Sequence, residues 1–207
     1  MPPRRRWTRR DFSKDPESVA RALLGARLVR VRNDASRLSG IIVETEAYLG
    51  VKDRACHSFG GRRTPRVEAM YGKPGLAYVF FTYGMHHCFN VVCGREGEPV
   101  AVLVRALEPV EGLDAMRRLR GRKCGDRELC SGPARLCMAL GITLRDNGVD
   151  LVSDPNLFIE HDSTRTVPAD CVVAGPRIGV QYAAQGGWSE APLRFYVGGN
   201  PHVSARG

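Results

Sequence analysis

The sequence predicts an α+β fold, one sheet of mainly antiparallel strands flanked by helices, on three observations. Strand-like runs rich in β-branched and aromatic residues cluster at about 27–32, 40–48, 76–92 and 99–107. Helical spacing appears only in short, irregularly placed stretches, so the regular strand–helix alternation of a doubly wound sheet is missing. The segment YVFFTYGMHHCFN, residues 78–90, has strand formers on both sides of Tyr83-Gly84 and reads as a protruding hairpin, glycine supplying the turn. The 207 residues, 43% of them hydrophobic, can bury one core, and residues 13–207 are expected to form a single domain.

Residues 1–12 begin MPPRRRWTRR, with five arginines, two prolines and no periodicity, and are expected to be a flexible basic arm. Thr8 to Lys14, TRRDFSK, resembles the core of a twin-arginine export signal. The following DPESVARALLGARL is charged and amphipathic, so export is rejected. Asp15 can cap a helix whose first turn holds Pro16 and which Gly25 ends, with Val19, Ala22 and Leu23 on one face. Strands follow at Arg27–Arg32 and Gly40–Tyr48, then a loop, GGRRTPR and KPG, that regular structure excludes. After the hairpin and the strand PVAVLVRAL, Leu113, Met116 and Leu119 mark a helix over Glu111–Leu119. Ser131 is expected to cap a second helix that Gly141 stops. Asn147-Gly148 signals a hairpin, and strands near Leu157–Glu160, Arg177–Val180 and Leu193–Val197 complete the domain.

A net charge of +9 attracts anions, nucleic acid foremost. Seven cysteines, an odd count without a C-x-x-C pair, point to reduced thiols in a cytoplasm or a nucleus rather than to a disulfide framework. No run of about 18 uncharged apolar residues exists to span a membrane. A zinc site is not expected: Cys56, His57, His86, His87, Cys88 and Cys93 lack the ligand spacing.

Within IIVETEAY, alternation places Glu44, Glu46 and Tyr48 on one face of a strand, the carboxylates roughly 6 to 7 Å apart. Such a pair alone is most simply a solvated strand face. Close in sequence, however, stand Cys56-His57 and an arginine-rich loop, so aromatic, titratable and cationic groups gather as a base-handling site requires. Tyr83 is the anomaly at the hairpin tip, a bulky ring where water should be the neighbour.

The motifs VETEAYLG, AxHSxGGRxTPR, MxxKPGxxYVxxxYGMxxCxN, LVRALEPxEGLxxMRxLR, DRELCSGPxxLCxALGI and PLRFYVxGxPxVS run in order through most of the chain. Together they resemble the alkyladenine (3-methyladenine) DNA glycosylase family. That resemblance implies a curved sheet and a monomeric, monofunctional enzyme needing neither metal nor cofactor. It also implies excision of 3-methyladenine, 7-methylguanine, hypoxanthine and ethenoadenine from double-stranded DNA, in a bacterial cytoplasm or a nucleus. By motif position, Glu46 is the base that activates water, Arg105 holds that water and Glu46, and Tyr48, His57 and Phe80 wall the base pocket. Asn90 meets the purine two position and disfavours guanine, and Tyr83 enters the minor groove and fills the gap left by the flipped nucleotide. Phe80 stands where the family carries tyrosine, and the loop CGREGEP is slightly longer than in relatives. Arg62, Arg63, Arg66, Lys73, the run RRLRGRK at 117–123 and the helix opened by Ser131 are candidates for backbone phosphates. Two other classes compete: a noncatalytic DNA-binding module, and a carbohydrate hydrolase using Glu44 and Glu46.

Overall fold

The longest strand, Arg37–Tyr48 (β2), organises the chain, because every residue between its two ends is buried and both of its faces are therefore covered. The computed structural model describes residues 4–82, 84–121 and 124–204. The other strands are Arg27–Val31 (β1), Ala77–Thr82 (β3), His86–Cys93 (β4), Val100–Glu111 (β5), Leu157–Glu160 (β6), Val172–Gly175 (β7) and Arg194–Val197 (β8). They form one α+β unit in which the sheet runs β3-β4-β5-β2-β1-β6. Each pairing among the described strands is antiparallel. On its side away from β5, β2 pairs with β1 over 37–41 and with β8 over 44–46, so its second half leaves β1 for β8. Gly40 permits the tight β2–β5 approach: a Cβ there would lie 2.8 Å from the Cβ of Leu107.

Helix α1 is Arg9–Phe12, α2 Pro16–Leu23, α3 Leu113–Arg120, α4 Asp126–Leu129 and α5 Pro133–Leu140. Asp15 caps α2 by accepting from the Ser18 amide at 2.9 Å, and Gly141 ends α5 in the left-handed region, as anticipated. Val19, Ala20 and Leu23 of α2 and Leu136, Cys137, Ala139 and Leu140 of α5 join the main core with Leu38, Ile42, Phe89, Val104 and Phe195. All seven cysteines are free thiols. Among the described residues no helix is long and apolar enough to cross a membrane.

Four local expectations are corrected. Over residues 4–12 the supposed flexible arm is fixed, because Trp7 and Phe12 are buried in the main core and outweigh the arginines around them. The Trp7 amide donates to Ile159 O at 2.8 Å and the His161 amide to Arg5 O at 2.8 Å, laying the segment along β6. Ser131 does not cap α5: Gly132 holds that position, and Ser131 Oγ instead accepts from Arg135 Nη1 at 3.0 Å. Asn147-Gly148 joins no pair of strands; Asn147 Oδ1 accepts from the Val79 amide at 3.0 Å and Gly148 N donates to Ala77 O, closing the edge of β3. The stretch 177–180 is a turn, and the strand lies earlier, at Val172–Gly175, since Arg177 is drawn inward by a carboxylate.

Candidate active site

The second half of β2 carries both carboxylates into the interior, and neither faces solvent as a simple strand surface would. Burial of a carboxylate is costly unless donors surround it. Glu44 Oε1 accepts from Arg105 Nε at 3.1 Å and Arg194 Nε at 2.7 Å, and Oε2 from the Ser204 amide at 2.7 Å. Glu46 Oε1 meets Arg105 Nη1 at 3.1 Å and the Ile178 amide at 2.7 Å, while Oε2 accepts from the Tyr48 hydroxyl at 2.9 Å. One guanidinium thus bridges both acids. Burial opposes the Arg105 charge, yet Glu46 and Glu44 outweigh it and raise its pKa.

Above Glu46 opens a cavity of about 710 Å³, within the range of small-molecule sites. Tyr48, His57, Phe80, Asn90, Arg105 and Arg62 all line it, so six of the anticipated residues converge from distant parts of the chain. Glu46 lies beneath them, fully enclosed, with its partners Tyr48, Arg105 and Ile178 on the cavity wall. Burial first, then the charge of Glu46, pushes the Tyr48 phenol well above its ordinary range, so it serves as a donor. His57 Nδ1 and the Tyr78 hydroxyl are hydrogen-bonded at 2.7 Å, and the His57 ring stands edge-on to Phe80, centroids 4.6 Å apart. Burial, with the charges of Arg66 and Arg62 adding to it, lowers the His57 pKa to about 4 and keeps its imidazole neutral near pH 7. Asn90 Nδ2 donates to Tyr78 O at 2.9 Å, which fixes the orientation of the amide against the cavity.

Several residues outside the anticipated set complete this arrangement. Arg177 and Asp53, both without solvent contact, form a two-pronged ion pair at 2.5 and 2.9 Å. Arg177 also donates to Ala47 O and packs its guanidinium 4.8 Å from the centroid of the Tyr48 ring. That pair ties the turn bearing Ile178 to the segment bearing His57. No sequence signal marks it, because the partners lie 124 residues apart. Tyr78 was within reach of sequence: strand alternation puts it on the face of Phe80. Tyr182, exposed at the cavity mouth, donates its hydroxyl to Ala55 O at 3.0 Å.

The basic candidates divide. Arg62 lines the cavity; Arg63 is exposed and paired with Glu68 at 2.5 Å; Arg66 donates to Phe81 O at 3.2 Å; Lys73 is exposed. In the 117–123 run, Arg120 is buried against Leu129 O and Arg117 is paired with Asp114 and Asp126, which removes both from a free cationic surface. Arg122 and Lys123 lie outside the described residues, as does Tyr83. Ser131 is half-buried and does not line the cavity, although Pro133 beside it does.

A family model described as methylpurine-DNA glycosylase (MPG) matches residues 10–201 of this chain. A DNA-3-methyladenine glycosylase of Mus musculus is 48% identical over 201 residues; the match covers 93% of this chain and 59% of the mouse protein. A provisionally named 3-methyladenine DNA glycosylase of Bacillus cereus (strain AH187) is 46% identical over 202 residues, covering 94% of this chain and 97% of the relative. A likewise provisionally named relative from Bacillus anthracis (strain A0248) is 46% identical over 206 residues, with the same coverage.

Proposed function

The chain belongs to the methylpurine-DNA glycosylase family, whose members are N-glycosyl hydrolases of DNA, and on that premise we propose that it removes alkylated or deaminated purines from duplex DNA. In this reading the damaged nucleotide is rotated into the cavity between Tyr48, His57 and Phe80, and its glycosidic bond is hydrolysed there. The substrates are 3-methyladenine, 7-methylguanine, hypoxanthine and ethenoadenine, the abasic site left behind enters base excision repair, and the enzyme works as a monomer.

The observation that carries the reading is that Glu46 is held by three donors whose residues themselves line an aromatic cavity: Arg105, Tyr48 and the Ile178 amide. A carboxylate accepts at about four positions, and the described donors take two on Oε1 and one on Oε2. The remaining position on Oε2 suits a water whose proton Glu46 accepts as the oxygen attacks C1′. The same negative charge stabilises the cationic sugar that forms as the base departs. Arg105, shared between Glu44 and Glu46, fixes the direction in which that carboxylate points. Phe80 supplies ring stacking without a hydroxyl, and Asn90 crowds the exocyclic amine of guanine. Tyr83, which falls between β3 and β4 in the sequence, takes the place of the extruded nucleotide; base–aromatic stacking of about 1 to 3 kcal/mol is comparable to the cost of unstacking. Arg62, Arg63, Arg66, Lys73 and the amides at the start of α5 meet phosphates.

Incubation with a duplex holding one hypoxanthine, followed by alkali, should yield a single strand break at that position. Salt-sensitive DNA binding without a break would return the chain to the noncatalytic class.

A further inference from the structure

The lining of the cavity changes character between its floor and its rim. Asn90 is buried, Tyr48, His57 and Phe80 are half-buried, and Phe59 and Tyr182 are exposed at 36% and 71%. Tyr182 is the most exposed large hydrophobic side chain among the described residues. One such ring alone on a surface is ordinary. Two on the rim of one cavity, both fixed in place, form a surface of their own.

Tyr182 is held at both ends. Its hydroxyl donates to Ala55 O at 3.0 Å, and Val180 and Ala183 on either side of it pack with Ala55. Burial at the hydroxyl end pushes the phenol above its ordinary range, so it stays a donor and the anchor persists. Phe59 has the Arg54 guanidinium 4.9 Å from its ring centroid, and Arg54 in turn donates to Gln185 Oε1, three residues beyond Tyr182. Ala55 and Phe59 lie two residues before and two after His57, so the outer rings flank the segment that supplies an inner wall. Arg54 and Arg62 line the same cavity and give its rim positive charge for phosphates beside an extruded nucleotide.

A base leaving the duplex loses its neighbours before it reaches the inner walls, and in that passage its faces meet water. A fixed aromatic surface restores part of the lost stacking, and does so for any base, because each has a π-face. The anchored phenol has little freedom left to lose when a base settles on it. Resting on the glycosylase reading above, we propose that Tyr182 and Phe59 form an outer station at the cavity mouth, on which an extruded nucleobase stacks before it passes between Tyr48, His57 and Phe80. The station touches the base in transit rather than in its final position. It therefore lowers the barrier between the stacked and the bound base without shifting the balance between them.

The test is stopped-flow fluorescence on a duplex holding one ethenoadenine, whose emission changes as the base leaves the stack, with wild type, Tyr182→Ala and Tyr182→Phe. Tyr182 is exposed and its hydroxyl partner is a backbone carbonyl, so both variants should fold. Tyr182→Ala should slow extrusion and return alike, each about tenfold, and leave their ratio at the wild-type value. Tyr182→Phe keeps the ring and should keep most of both rates. Wild-type extrusion in Tyr182→Ala, an equal loss in Tyr182→Phe, or a changed ratio of extrusion to return overturns the proposal while leaving the glycosylase reading standing. Base release by wild type from the same duplex checks that reading separately: if no ethenoadenine is freed, it fails and takes the proposal with it.

Discussion

Glu44 and Glu46 stand two residues apart on β2 and share Arg105, yet their surroundings differ in kind. Glu44 is closed off by Arg194 and by the Ser204 amide from the end of the described chain, partners that hold β8 and residue 204 in place. Glu46 is held by Tyr48, Arg105 and Ile178, each of which also faces the cavity. The same residue type on the same strand thus becomes a fastening in one place and, in the function proposed above, the reactive group in the other. What decides between them is the donors they do not share: Tyr48 and Ile178, which hold Glu46, line the cavity, whereas Arg194 and Ser204, which hold Glu44, do not.

The contrast breaks most visibly at Glu46. Glu46→Gln should lower hypoxanthine excision by about 10²- to 10⁴-fold while gel-shift affinity for the lesion duplex stays near that of wild type; excision at the wild-type rate would remove Glu46 from the chemistry. Glu44→Ala should act on the fold instead. It strips a buried acceptor from Arg105, Arg194 and Ser204, and urea unfolding should register a loss of about 3 to 5 kcal/mol. A variant as stable as wild type but inactive would reverse the two roles.

On the cavity side, His57 adds a pH signature. Its folded pKa of about 4 lies below that of an unfolded imidazole, so as pH falls the unfolded chain takes up the proton first. The stability contributed by neutral His57 is complete above roughly pH 6.5 and is lost progressively down to about pH 4. Allowing for its partial exposure, the loss should be about 1 to 2 kcal/mol. His57→Phe should flatten that part of the profile in urea titrations, and an unchanged slope would assign it to another group. The smallest effect is expected at Asn90. Asn90→Ser should raise release of undamaged guanine roughly tenfold, measured by base release from unmodified duplex; no increase would leave guanine exclusion to other walls.

Local signals carried much of the fold. Asp15-Pro16, Gly141 and the strand formers flanking Gly84 each act over a few residues, and the helices and the β3–β4 pair they delimit are present where backbone chemistry put them. The gathering of Tyr48, His57, Phe80, Asn90 and Arg105 was legible only through the ordered motifs, since nothing in their spacing brings distant strands together. Composition misled where a few residues dominate: five arginines suggested a loose arm, whereas the burial of Trp7 and Phe12 and the backbone hydrogen bonds to β6 secure residues 4–12. Arg177 and Asp53 escaped notice because an ion pair across most of the chain leaves no local trace, and the same pair turned an apparent strand at 177–180 into a bend. Asn147-Gly148 carried a hairpin signature but spends its side chain and amide on a neighbouring strand.

Residues 5–7 lie along β6, which is otherwise the outer strand of the sheet, with Arg6 bridged to Glu160. An outer strand left bare offers its unpaired peptide groups as a template for another chain. Proteolytic or engineered trimming of the first dozen residues would therefore do more than shed positive charge. It would uncover an adhesive edge and take two large rings out of the interior, turning a repair enzyme into a seed for self-association.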